Sequence, residues 1–73
     1  MIELQINGKR VQLEGATPLL AYLQTLGVSP NSVAVEHNGA IIGRDAYAST
    51  TLSDGDVVEI VRMVGGGHRA LEN

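Results

Sequence analysis

From Val57 to Val64 the chain carries apolar side chains in both registers of an extended strand: Val58, Ile60 and Val64 in one, Val57, Val61 and Met63 in the other, with Glu59 and Arg62 interspersed. Successive side chains of a strand point to opposite faces, so apolar residues on both faces demand cover on both, and the run is expected to be a central strand. It is also the longest β-branched run and the last strand of the chain. Earlier segments must therefore supply the strands that flank it.

The opening segment is one of them. Ile2, Leu4 and Ile6 alternate with Glu3 and Gln5 as a strand with one wet face requires; Asn7-Gly8 interrupts, and Val11 and Leu13 resume the alternation. Asn-Gly is a strong hairpin signal because both turn residues must take positive φ, so the chain opens with an antiparallel hairpin. Thr17 can cap a helix with Pro18 in its first turn, where a missing N–H costs nothing. Leu19, Leu20, Leu23 and Leu26 then share one helical stripe and Gly27 stands at the left-handed C-terminal position, which predicts a helix over Thr17 to Leu26. Val28 to Ser32 reads as a loop, Val33 to Asn38 as a strand, Asn38-Gly39 as a second turn and Ala40-Ile41-Ile42 as a brief strand. Gly43 to Thr51 has no clean period and is expected to be a loop, with at most one helical turn at Asp45 to Ala48. Asp54-Gly55-Asp56 makes the turn into the last strand. Strand, strand, helix, strand, strand, strand, with the last strand beside the first, is an α+β, β-grasp arrangement: a mixed sheet of four to five strands packed on one main helix. It is expected to fill residues 1–64, leaving 65–73 as a flexible, glycine-rich tail.

Composition narrows what such a domain can do. Its 73 residues allow one small domain, which cannot spare enough core for a deep substrate cleft, so an enzyme is disfavoured. Cysteine is absent, which removes disulfides, redox dithiols and thiolate metal sites, while the lack of Trp and Phe leaves the core to Leu, Ile, Val and Ala. A net charge of −3, with Lys9-Arg10 the one basic cluster, argues against nucleic acid. No apolar run approaches membrane-spanning length and no leader pattern opens the chain, so it is expected to be cytoplasmic, without a membrane partner. His37 and His68 are too few to suggest a metal site. Asp54 and Asp56, on either side of Gly55, read as turn residues rather than an acid/base pair.

After the last strand come Gly65, Gly66 and Gly67, then His68 to Asn73. Glycines without Cβ atoms pack poorly and are costly to order, so alone they describe a linker or a frayed end. Their context is more informative. The order Ile2-Glu3-Leu4-Gln5-Ile6-Asn7-Gly8, a Leu-rich helix, Val35-Glu36-His37-Asn38-Gly39 with Ile42 and Arg44, Leu52-Ser53-Asp54-Gly55-Asp56-Val57-Val58-Glu59-Ile60 and terminal glycines resembles the ThiS family, ubiquitin-like sulfur carriers of thiamine biosynthesis in the ThiS/MoaD superfamily. The resemblance covers residues 1 to 67, and the family's spacing from the Asp-Gly-Asp turn puts its functional diglycine on Gly66-Gly67.

The resemblance implies a carrier, not a catalyst. The Gly67 carboxylate would be adenylated at the expense of ATP and converted to a thiocarboxylate, with Gly65 and Gly66 threading the tail into the partner. A C-terminal carboxylate, with a pKa of about 3.5, is an anion at neutral pH and a poor acyl donor until activated. The chain has no phosphate-binding loop, so a partner must supply the activation; the resemblance implies a ThiF-like adenylyltransferase for that step and a ThiG-like thiazole synthase for sulfur delivery. No bound cofactor is expected. Six residues follow Gly67, so the function requires prior cleavage after it, by a processing protease. The partner-docking face is expected at Val57, Val61 and Met63, whose register faces away from the helix, with Arg44 at a position often basic in the family. The alternatives are a MoaD-like carrier for molybdopterin synthesis, which shares fold and diglycine, and a TGS-like binding module, which shares the Leu-x-Asp-Gly-Asp-x-Val pattern.

Overall fold

A computed structural model describes residues 1–63 and the backbone of residues 64, 69 and 70. Strands β1 (Ile2–Ile6) and β2 (Lys9–Leu13) form the opening hairpin. They are followed by a two-residue strand β3 (Thr17–Pro18), helix α1 (Leu19–Leu26), β4 (Val33–His37), β5 (Ala40–Ile42), β6 (Thr51–Leu52), β7 (Val57–Val64) and β8 (Arg69–Ala70). The main sheet runs β2-β1-β7-β4-β5, with β7 parallel to β1 and antiparallel to β4. This is the mixed five-stranded β-grasp sheet, and β7 sits at its centre. Two details go beyond the expected pattern: β3 pairs with β6 as a separate two-stranded ribbon, and β8 pairs antiparallel with β7 at Met63 and Val64.

The helix begins later than its sequence signals suggest. Pro18 is the N-cap, with an extended ψ of 140°, and Thr17 belongs to β3 rather than capping α1. The Thr17 hydroxyl donates instead to the Gly15 carbonyl at 2.8 Å, and the first helical N–H, from Leu19, is satisfied by the Thr50 carbonyl at 2.9 Å. Pairing with β6 thus takes the place of a side-chain cap. At the other end Gly27 is left-handed, with φ 76°; its N–H donates to Gln24 and that of Val28 to Leu23, the Schellman closure. This turn brings Val28 back onto the core, whereas Leu26 remains exposed, as does Leu20.

Leu19 and Leu23 are fully buried against Leu4, Ile6, Val33, Val35, Leu52, Val58 and Ile60. The core also takes Tyr47, which the aliphatic expectation left out. It is carried by a 3-10 helix, Arg44–Ser49, where a loop was expected, and its hydroxyl donates to the Val33 carbonyl at 3.1 Å, so the buried polar atom is paired.

Candidate functional site

The tail leaves the domain through β7, so the way β7 is held determines what the domain presents. Both Asn-Gly turns have both residues at positive φ, 53° and 80° at Asn7-Gly8 and 53° and 88° at Asn38-Gly39. Each asparagine then uses its side chain on β7. Asn7 Oδ1 accepts from the Ile60 N–H at 2.7 Å while its Nδ2 donates to the Ile60 carbonyl at 3.1 Å, which prolongs the β1 ladder beyond the last β1 residue. On the opposite edge Asn38 Oδ1 accepts from the Val57 N–H at 2.8 Å and the Asn38 N–H donates to the Val57 carbonyl at 2.7 Å. The residues that make the hairpins tight also fasten the central strand from both sides.

The turn before β7 is anchored as firmly. Asp54 Oδ1 accepts from the Glu3 N–H at 2.8 Å, and the Gly55 N–H, at φ 84°, donates to the Glu3 carbonyl at 2.8 Å. Asp56 Oδ2 accepts from the Ser53 N–H at 2.9 Å and meets His37 Nε2 at 2.8 Å, while its Oδ1 accepts from Asn38 Nδ2 at 3.2 Å. Burial would raise the Asp56 carboxyl, but the His37, Ser53 and Asn38 hydrogen bonds outweigh it and hold the group below the ordinary carboxylate range. Both aspartates are turn residues, as their spacing implied. His37 is engaged with Asp56, and among the described residues no three His, Cys, Asp or Glu side chains gather to hold a metal ion.

Val58 and Ile60 point into the core; Val57, Glu59, Val61 and Met63 occupy the opposite face, Val57 being 46% exposed and Val61 and Met63 partly buried. The docking residues inferred from register thus share one face of the sheet. A shallow apolar depression of about 200 Å³ lies on it, lined by Ala34, Val35, Glu36, Ile41, Glu59 and Val61. Ala34, Glu36 and Ile41 come from β4 and β5 and had no sequence signal, since only the pairing register places Ala34 beside Val61 and Glu36 beside both Glu59 and Ile41. Arg44 is not brought to this depression. Its guanidinium donates to the carbonyls of Pro30 at 3.2 Å, Asn31 at 2.9 Å and Val33 at 3.4 Å, closing the loop before β4, so its side chain has a structural use apart from the depression. Gly65, Gly66 and Gly67 lie outside the described residues, and so does most of the expected tail. No helix is long and apolar enough to cross a membrane among the described residues.

The family described as ThiS matches residues 4–67. The sulfur carrier protein ThiS of Bacillus subtilis is 42% identical over 65 residues, covering 88% of this chain and 98% of that protein. Thiazole synthase of Magnetococcus marinus is 36% identical over 66 residues, or 90% of this chain, which spans only 20% of that protein's length. The crystal structure of the thiamine biosynthesis protein ThiS from Geobacter metallireducens superposes with a TM-score of 0.76 at 36% identity, covering 90% of this chain and all of that one. Sequence along nearly the whole domain and the course of its sheet agree, and the chain belongs to the ThiS family.

Proposed function

We propose that this chain carries sulfur for thiazole formation in thiamine biosynthesis, as a thiocarboxylate on Gly67. The observation that carries the reading is the family match, which runs to Gly67 and stops there, leaving His68 to Asn73 outside it. Removal of those residues frees the Gly67 carboxylate. A carboxylate oxygen then attacks the α-phosphorus of ATP in a ThiF-like adenylyltransferase, pyrophosphate leaves, and the acyl-adenylate forms. Sulfide adds to the acyl carbon and AMP departs with the electron pair of the broken C–O bond, leaving the thiocarboxylate. All chemical steps belong to the partner, whereas this chain contributes a side-chain-free end on a rigid root. Gly65 and Gly66 allow the end to enter a narrow site because no Cβ widens the tail.

A ThiG-like thiazole synthase is the proposed acceptor, and the alignment of this chain with a fifth of the Magnetococcus marinus thiazole synthase supports that pairing. The test is an intact mass of the untagged protein from its own cells. The expected species ends at Gly67 and carries one sulfur in place of one oxygen; a full-length, unmodified chain in thiamine-starved cells would overturn the proposal.

A further inference from the structure

On the open face of the sheet the antiparallel register sets Glu36 of β4 directly opposite Glu59 of β7, with Ile41 of β5 opposite Glu36 on its other side. Directly opposed residues on a sheet have Cβ atoms about 5 Å apart, and like charges in that position oppose folding. The described ion pairs are Arg10 with Glu3 and His37 with Asp56, so among the described residues neither Glu36 nor Glu59 is held in an ion pair. Around the two carboxylates the surface is apolar: Ala34 and Val61 form the next cross-strand pair, and Ile41, 83% exposed, is one of the most exposed large aliphatic side chains of the domain. The shallow depression is lined by just these residues and Val35.

A face built in this way is incomplete in two respects. Among the described residues nothing covers its apolar rows and no ion pair joins its carboxylates. We infer that Glu36 and Glu59 form a cation-accepting notch within the docking face, and that its occupant is a side chain of the adenylating enzyme, an arginine presented between apolar residues. The inference rests on the carrier reading above and specifies the contact chemistry of its first partner. Arginine fits better than lysine, because a planar guanidinium can donate in parallel to both carboxylates while its faces lie against aliphatic neighbours. Ala34 leaves room for the incoming side chain, and Val61 and Ile41 supply the apolar flanks. Docking through this notch holds β7, and hence the root of the tail, at a fixed orientation on the enzyme without any contact to the glycines.

The test is binding of the full chain to its purified cognate adenylyltransferase at low and moderate salt, comparing wild type with the Glu36→Gln/Glu59→Gln double variant. The variant keeps shape and polarity but removes both charges. Its binding is expected to weaken by about tenfold at low salt and to lose most of its salt dependence, while its thermal midpoint equals or exceeds that of wild type because a like-charge pair is gone. A variant that binds as tightly as wild type at both salt concentrations would overturn the notch. Weakened binding to the thiazole synthase alone would overturn the assigned occupant. The carrier reading fails separately, on the cellular mass of the Gly67 species, so the two can be told apart.

Discussion

Replacing Asn7 tests the claim that a turn residue also holds the central strand. In Asn7→Ala the Ile60 N–H and carbonyl each lose the partner described above, and alanine must occupy a φ of 53°. Each lost hydrogen bond costs about 1 kcal/mol where solvent can partly substitute, as it can beside this exposed turn, and the left-handed conformation adds about 1 kcal/mol for a residue with an ordinary Cβ. The sum is about 3 kcal/mol. Asn7→Gly loses the same bonds but accepts the φ freely, so it should cost about 2 kcal/mol. A domain of this size has a total stability of roughly 4 to 10 kcal/mol, and each kcal/mol moves its midpoint by about 4 to 8 °C. The alanine variant should therefore melt about 15 °C below wild type and the glycine variant about 10 °C below it. Urea unfolding followed by far-UV circular dichroism is the suitable assay, since the chain has no tryptophan. If Asn7→Gly proved as stable as wild type, the side-chain bonds to Ile60 would contribute nothing and the anchoring argument would fall; if it proved less stable than Asn7→Ala, the conformational part would be wrong.

Further expectations concern the core, the turn, the docking face and the tail. Leu52→Ala, at a fully buried position on β6, should cost about 2 to 5 kcal/mol, read as a lower urea midpoint with an unchanged slope. Asp56 is held below its ordinary pKa in the folded state, so its contribution is present above that range and lost as the pH falls through it; the stability gap between wild type and Asp56→Asn should be full at pH 7 and shrink below about pH 4, and a gap independent of pH would refute the assignment. Val61→Asp, on the open face, should leave the circular dichroism spectrum intact while suppressing adenylation by the cognate enzyme, and unchanged adenylation would remove Val61 from the docking face. A chain made to end at Gly67 should be loaded with sulfur in vitro without processing, and one ending at Gly66 should not, both scored by intact mass.

The parts of this fold that can be read from sequence are those specified by neighbours along the chain. The two Asn-Gly turns, the Gly27 cap, the Asp54-Gly55-Asp56 turn and the two-faced apolar run of β7 each carry their cause within a few residues. What escaped reading depends on distant partners. Thr17 and Pro18 look like a helix start until Leu52 and Thr51 claim their backbone, and the 3-10 stretch that buries Tyr47 has too tight a winding to show the helical period. The loop contacts of Arg44, expected only at the docking face, escaped reading because the carbonyls it binds, those of Pro30, Asn31 and Val33, come near only after the loop has folded. The same holds at the site. Val57, Val61 and Met63 are legible from alternation, but the proximity of Glu36 to Glu59 follows from a strand register that no local pattern encodes.

The placement of β7 also has a mechanical consequence. It runs parallel to β1 and antiparallel to β4, with Asn7 and Asn38 tied to its two edges. A force applied at the C-terminal end is directed along the strand, so the bonds on both edges are strained together instead of opening one after another from an end. Forced unfolding is governed by the height of that barrier rather than by equilibrium stability. A degradation machine that grips the C-terminal end and pulls would first part the two-residue pairing of β8 and then meet its greatest resistance at β7, whereas an enzyme that only handles the last glycines would leave β7 untouched.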